Sequence, residues 1–86
     1  TKLYRSLKKG EEMIFNGENN TAKIEEKMIN MIKDEELAEI DYVKIVDPET
    51  LGEIAAISEE VLLALAVYIG ETRLIDNFYI KNIKND

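Results

Sequence analysis

Apolar residues return at helical intervals in the first part of the chain. Leu3, Tyr4, Leu7, Ile14 and Phe15 recur in this way, with Lys2, Lys8, Lys9 and Glu12 on other faces. That spacing predicts an amphipathic helix near residues 2–16 with one apolar stripe. Gly10 inside it costs roughly 1 kcal/mol relative to Ala, so the helix depends on packing. Asn16-Gly17 is a stop signal, because Gly accepts the left-handed conformation just past a helix end. A polar link follows, Glu18-Asn19-Asn20-Thr21, in which Asn20 or Thr21 can cap a second helix near 21–34. Ile24, Met28, Met31 and Ile32 share one side of that helix. Two amphipathic helices on a short link predict an antiparallel αα-hairpin. Its methionines read as adaptable core filler rather than as ligands.

Past Asp34-Glu35-Glu36 the pattern changes. Ile40 to Val46 is rich in β-branched and aromatic residues, which predicts a strand near 40–46. Asp47-Pro48 ends it, since proline donates nothing to a ladder and restricts the residue before it. Pro48 to Gly52 reads as a turn or short helical loop, and Ile54 to Ile57 as a short extended piece. Val61–Ile69 is then a nearly unbroken apolar run. Periodicity alone leaves it open between strand and buried helix. Its length and the turn at Gly70-Glu71-Thr72 favour a strand near 61–69, hairpinned to another near 72–80. The tail from Lys81 to Asp86 is polar and reads as frayed.

Composition narrows the function classes. Eighty-six residues make one domain with room for a single core. The net charge of −7, with the acidic excess mostly in the second half, offers no clustered Lys/Arg face. Nucleic acid and anionic membrane surfaces are therefore poor partners. With no cysteine there is neither a disulfide framework nor a thiolate metal site, which fits a cytoplasmic setting. No apolar run is long enough for a membrane-spanning helix. The first residue is Thr1, as expected of a processed product or an excised piece of a longer protein.

Catalytic chemistry has little to stand on. The absence of histidine removes the commonest general base and the nucleophile pairs that need one. The four glycines are scattered, so no phosphate-cradling loop is present. No carboxylate spacing matches a calcium loop. Asp41 and Asp47 read first as solvated surface charges, with an acid/base pair as the alternative. Arg73 and Asp76 stand out because both sit in an apolar neighbourhood. Three apart on a strand, they point to opposite faces and do not pair side by side. They read as a strand-edge charge and a turn or strand-end cap, or alternatively Arg73 or Asp76 faces a substrate cleft and touches a ligand or another domain. No residue is assigned a catalytic or metal-binding role.

The wording of four segments adds a resemblance. Leu3-Tyr4-Arg5-Ser6-Leu7, Asp41-Tyr42-Val43 with Val46-Asp47-Pro48-Glu49-Thr50-Leu51, Leu62-Leu63-Ala64-Leu65-Ala66 and Thr72-Arg73-Leu74-Ile75-Asp76-Asn77 are similar, in order, to segments of the pantothenate synthetase (pantoate–β-alanine ligase) family. They cover nearly the whole chain. The histidines of the family's HIGH-type motif and its Ser-Ser-Arg-Asn motif do not occur here. The resemblance is therefore to the C-terminal domain without the nucleotide-binding domain, and Thr1 falls just past the second motif.

That resemblance implies an α+β fold in two layers, an αα-hairpin packed on a three-stranded antiparallel β-sheet. It implies a parent enzyme that joins pantoate to β-alanine with ATP and Mg²⁺ through a pantoyl adenylate. The C-terminal domain would be a lid over the active site of the nucleotide-binding domain, its partner within the same chain. A lid excludes water from an acyl adenylate and needs shape more than acids and bases. The isolated chain is then expected to be inactive and to bind no cofactor by itself. Two rivals stand beside this reading. One is a stand-alone acidic interaction module, the other a self-sufficient enzyme using Asp41, Asp47 or Asp76.

Overall fold

A computed structural model of the chain describes residues 1–81 and Ile83. The elements run α1 (Lys2–Phe15), α2 (Thr21–Lys33), β1 (Ala38–Val46), β2 (Val61–Ile69) and β3 (Thr72–Ile80). The two helices form a hairpin on one face of a three-stranded antiparallel sheet in the order β1-β2-β3. The α+β, two-layer architecture is the one expected, and the run Val61–Ile69 is its central strand.

Local chemistry sets the helix ends. Thr1 caps α1 through its hydroxyl, which accepts the Tyr4 N–H. Asn16 follows α1 and Gly17 takes φ +99°, so the chain reverses where the sequence places the stop. Asn20 caps α2, its Oδ1 accepting the N–H groups of Ala22 at 2.9 Å and Lys23 at 3.3 Å. Lys2 Nζ donates to the Asp34 carbonyl at 3.0 Å, joining the start of one helix to the end of the other.

The core lies between the layers. Leu7 from α1 and Ile24, Met28 and Ile32 from α2 meet Ile45 of β1 and Val61, Leu63, Leu65 and Val67 of β2. All of these are sealed from solvent. Two residues of the expected α1 stripe are not in this core. Tyr4 and Phe15 are half exposed, and the buried face is Leu3, Ser6, Leu7, Gly10 and Ile14. Successive helical residues turn about 100°, so Tyr4 falls to the flank. There its ring meets Phe78 of β3 edge to face, centroids 5.6 Å apart.

The link from β1 to β2 is irregular but tied down. Its expected extended piece appears as two isolated bridges, Glu53 with Val46 and Ala56 with Asn20. Thr21 Oγ1 donates to the Ile54 carbonyl at 2.7 Å, and the Ile57 N–H donates to Asn19 Oδ1 at 2.8 Å. The tail also differs from its frayed expectation at one residue. Ile83 is buried, and its N–H donates to the Glu59 carbonyl at 3.1 Å. The rest of that expectation, at residues 82 and 84–86, lies outside the described residues.

Candidate functional site

The helices cover one face of the sheet and leave the other open. Register decides which side chain goes where. Leu63 and Leu65 point to the helices, so Leu62, Ala64, Ala66 and Tyr68 point away from them. Across from these lie Tyr79, Asn77, Ile75 and Arg73 on β3 and Tyr42, Lys44 and Val46 on β1. The apolar run of β2 therefore alternates, with Val61, Leu63, Leu65 and Val67 inward and both alanines on the outward side between Leu62 and Tyr68. Small side chains along the middle of the open face leave a shallow depression of about 310 Å³. Tyr42, Lys44, Leu51, Leu62, Ala64 and Ile75 are among its lining.

Leu51 reaches this depression from the loop after β1. Asp47 organises that loop: its Oδ1 accepts the N–H groups of Glu49 at 2.8 Å and Thr50 at 3.1 Å. Its own backbone pairs with Leu51 and Gly52. Leu51 is held at φ +61°, a left-handed conformation that costs an L-residue about 1–2 kcal/mol. Gly52 follows directly, and positive φ among the described glycines occurs only at Gly17 and Gly70. The backbone thus places the leucine, and not the adjacent glycine, in the strained region. Its side chain is 64% exposed.

Arg73 and Asp76, the cleft candidates, are not brought together. Arg73 stands opposite Tyr68 on the open face, and Asp76 opposite Leu65 on the helix side. Arg73 pairs instead with Asp41, its Nη2 at 2.8 Å and Nε at 3.2 Å from Asp41 Oδ2. The pairing register of β1 shifts between Ile40 and Tyr42, and this irregularity turns Asp41 toward the arginine. The guanidinium also lies over the Tyr68 ring at 6.0 Å. The hydrogen bond to Asp41, more than its charge, raises the Arg73 pKa. Arg73 and Asp41 come from two of the segments that carry the family resemblance, so one ion pair joins both.

Asp76 borders the depression between Ile75 and Asn77, and its Oδ1 accepts the Asn77 N–H at 2.8 Å. Its side chain is exposed. Asp47, like Asp41 a candidate acid in the sequence, is occupied, in its case by loop bonds. Tyr79 donates its hydroxyl to Glu60, which raises the phenol pKa. A second recess, at the end of the sheet, brings together Asp47, Glu49, Glu59 and Glu60 with Lys81. Among the described residues no cluster of His, Cys, Asp or Glu is arranged to hold a metal ion. No helix there is long and apolar enough to cross a membrane.

The open face with Lys44, Leu51 and Ile75 was not singled out from the sequence. Its signal is the period-two alternation of Leu and Ala inside what looks like a uniform apolar run. The arrangement suits contact and shape recognition. An exposed arginine–aspartate pair, a lysine and a shallow apolar hollow do not assemble a nucleophile with its base.

Comparison with known proteins agrees with this geometry. The family described as Pantoate-beta-alanine ligase matches residues 1–79. Pantothenate synthetase of Clostridium novyi is 48% identical over 79 residues, 92% of this chain and 28% of that protein. The Thermotoga neapolitana enzyme is 47% identical over 75 residues, 87% of this chain and 27% of that protein. A crystal structure of pantothenate synthetase from Thermus thermophilus superposes with a TM-score of 0.83 at 28% identity, covering 90% of this chain and 28% of that one. The chain thus spans less than a third of the length of these relatives. From its helix hairpin to the TRLIDN strand, it belongs to the pantoate–β-alanine ligase family.

Proposed function

We propose that this chain is the C-terminal lid domain of a pantothenate synthetase. In that reading the whole enzyme condenses pantoate with β-alanine, using ATP and Mg²⁺ through a pantoyl adenylate. The observation that carries the proposal is the match of residues 1–79 to this family over only 28% of a relative's length. The remainder of the relatives' length would hold the nucleotide-binding domain and its catalytic motifs. This chain contributes a sheet braced by helices, with little acid–base machinery of its own. Such a unit covers a reacting centre and excludes water from it. ATP and Mg²⁺ would be held outside this chain.

Arg73 and Asp76 keep different standings in this proposal. Arg73 acts first as a brace, because Asp41 engages two of its nitrogens. Asp76 is the more available of the two for a substrate or a neighbouring domain. The test is direct. The 86-residue chain, given ATP, Mg²⁺, pantoate and β-alanine, should form no pantothenate and should not exchange pyrophosphate into ATP. Adenylation by the isolated chain would overturn this division of labour.

A further inference from the structure

The two edges of the sheet are protected unequally. At β1 the pairing register shifts between Ile40 and Tyr42. The loop after β1 also lies along its end, with Glu53 bridged to Val46 and the Ile54 N–H donating to the Ile45 carbonyl at 3.3 Å. A bulge and a covering loop both keep an edge from pairing with another chain. β3 has neither. Its nine residues pair with β2 without a shift, and all from Thr72 to Asn77 are exposed. Bond alternation shows which of its backbone groups are spare. The Ile45 carbonyl points out of the sheet, so Ile45 and Leu63 face each other without exchanging bonds. Leu63 therefore turns its backbone to Phe78. Along β3 the alternation then leaves the backbone groups of Arg73, Ile75, Asn77 and Tyr79 at the free edge. Among the described residues, the Asn77 N–H is the one of these four that meets a side chain, donating to Asp76 Oδ1 at 2.8 Å.

We propose that this edge is a strand-addition surface for a second copy of the chain, and that Asp76 holds it shut. The occupant is argued from register. A two-fold axis normal to the sheet makes the two β3 strands antiparallel and keeps each face on its own side. The register that overlaps all of β3 sets Thr72 opposite Ile80 of the copy. Leu74 then meets Phe78 of the copy on the helix side, an apolar pair. Arg73 meets Tyr79 of the copy on the open face, a cation–aromatic pair. The outward backbone groups of Ile75 and Asn77, and of Arg73 and Tyr79, exchange the new ladder bonds. Asp76 lies on the axis and faces its own copy, in a pair without ladder bonds, where side chains come closest. Two carboxylates placed there repel each other. The same carboxylate occupies the Asn77 N–H that the new ladder needs. Asp76 is the one acid in Thr72–Ile80, a segment otherwise rich in strand formers, so a single residue carries the block. That role needs no substrate and stands apart from the lid reading.

Sedimentation equilibrium of the 86-residue chain and two variants tests this. Asp76→Asn removes the charge and keeps an oxygen for the Asn77 N–H, whereas Asp76→Val removes both. The dimer dissociation constant should fall from the parent to Asp76→Asn to Asp76→Val, by about tenfold or more in all. Ile75→Pro, whose lost N–H faces away from β2, should return the Asp76→Val chain to parent behaviour. Hydrogen exchange locates the contact. In the Asp76→Val chain the amides of Arg73, Ile75, Asn77 and Tyr79 should slow between dilute and concentrated samples, while those of β1 do not change. Circular dichroism melts separate association from unfolding, and Asp76→Asn, close to the parent in shape, carries the test by itself where Asp76→Val does not fold. Folded variants that associate no more tightly than the parent overturn the proposal, as does association that slows amides of β1 or the helices instead. A parent chain that already pairs through β3 as tightly as its variants overturns the guarding role of Asp76.

Discussion

At position 10 an added Cβ would sit 2.9 Å from Met28 Sδ and 3.0 Å from Leu63 Cδ1. The glycine in α1 is there because three elements converge on it. Its cost of roughly 1 kcal/mol in helix propensity is legible in the sequence, but the contact that repays it is not. Gly10→Val should therefore destabilise the chain by about 2 kcal/mol, lowering Tm by about 10 °C. Thermal melting by circular dichroism checks this, and an unchanged Tm would mean the packing is looser than described. Tyr79 gives a second expectation. Its hydrogen bond to Glu60, followed by desolvation, raises its pKa above the usual 10.0. The folded state holds that proton more tightly, so the contribution to stability is full below pH 10 and is lost as pH rises through the folded pKa. Ultraviolet titration of the parent against Tyr79→Phe should assign the missing late-titrating phenol to Tyr79. Arg73 shows the limit of reading residues singly. Its apolar neighbourhood marked it as unusual, yet its partner Asp41 lies 32 positions away, at a register shift that no local pattern announces.

Among the elements, the link Asn19-Asn20-Thr21 does more than a turn requires. Asn20 caps α2, while Asn19 and Thr21 hold the loop before β2 through Ile57 and Ile54. The sequence announces the cap, because a polar residue before an apolar helical pattern is a local signal. It does not announce the loop contacts, which pair residues more than thirty positions apart. Asn20→Ala should cost about 1 kcal/mol, with a matching fall in the urea midpoint and an unchanged slope. A lower slope would mean that α2 had come loose from the sheet. The β2–β3 hairpin was legible for the opposite reason. Gly70 at φ +62° joins two apolar segments through a two-residue turn, and both signals are local. The inward–outward alternation of β2 was harder to see, since alanine and leucine both count as apolar. Only pairing shows that one set packs on the helices and the other floors an open hollow.

For the molecule as a whole, the two-layer fold follows from periodicity, caps and turns, with the sheet's composition supplied by the family resemblance. The site is less legible, because contact surfaces are made by register and by the loop after β1 rather than by a motif. Arg73 and Asp76 stand out in the sequence as polar exceptions, whereas the open face is made mostly of ordinary apolar residues. Among the described residues one face of the sheet is left uncovered, on a chain that spans 28% of the Clostridium novyi relative. The central claim is that this chain is the lid of a pantoate-activating ligase, and pantothenate formation by a chimera in which this chain replaces the matching 28% of the Clostridium novyi enzyme tests it most directly. The claim expects a folded chimera that makes pantothenate with kcat/KM within about a hundredfold of the parent enzyme, the loss allowed for an imperfect interface. A chimera that melts cooperatively, binds ATP and makes no pantothenate would contradict it.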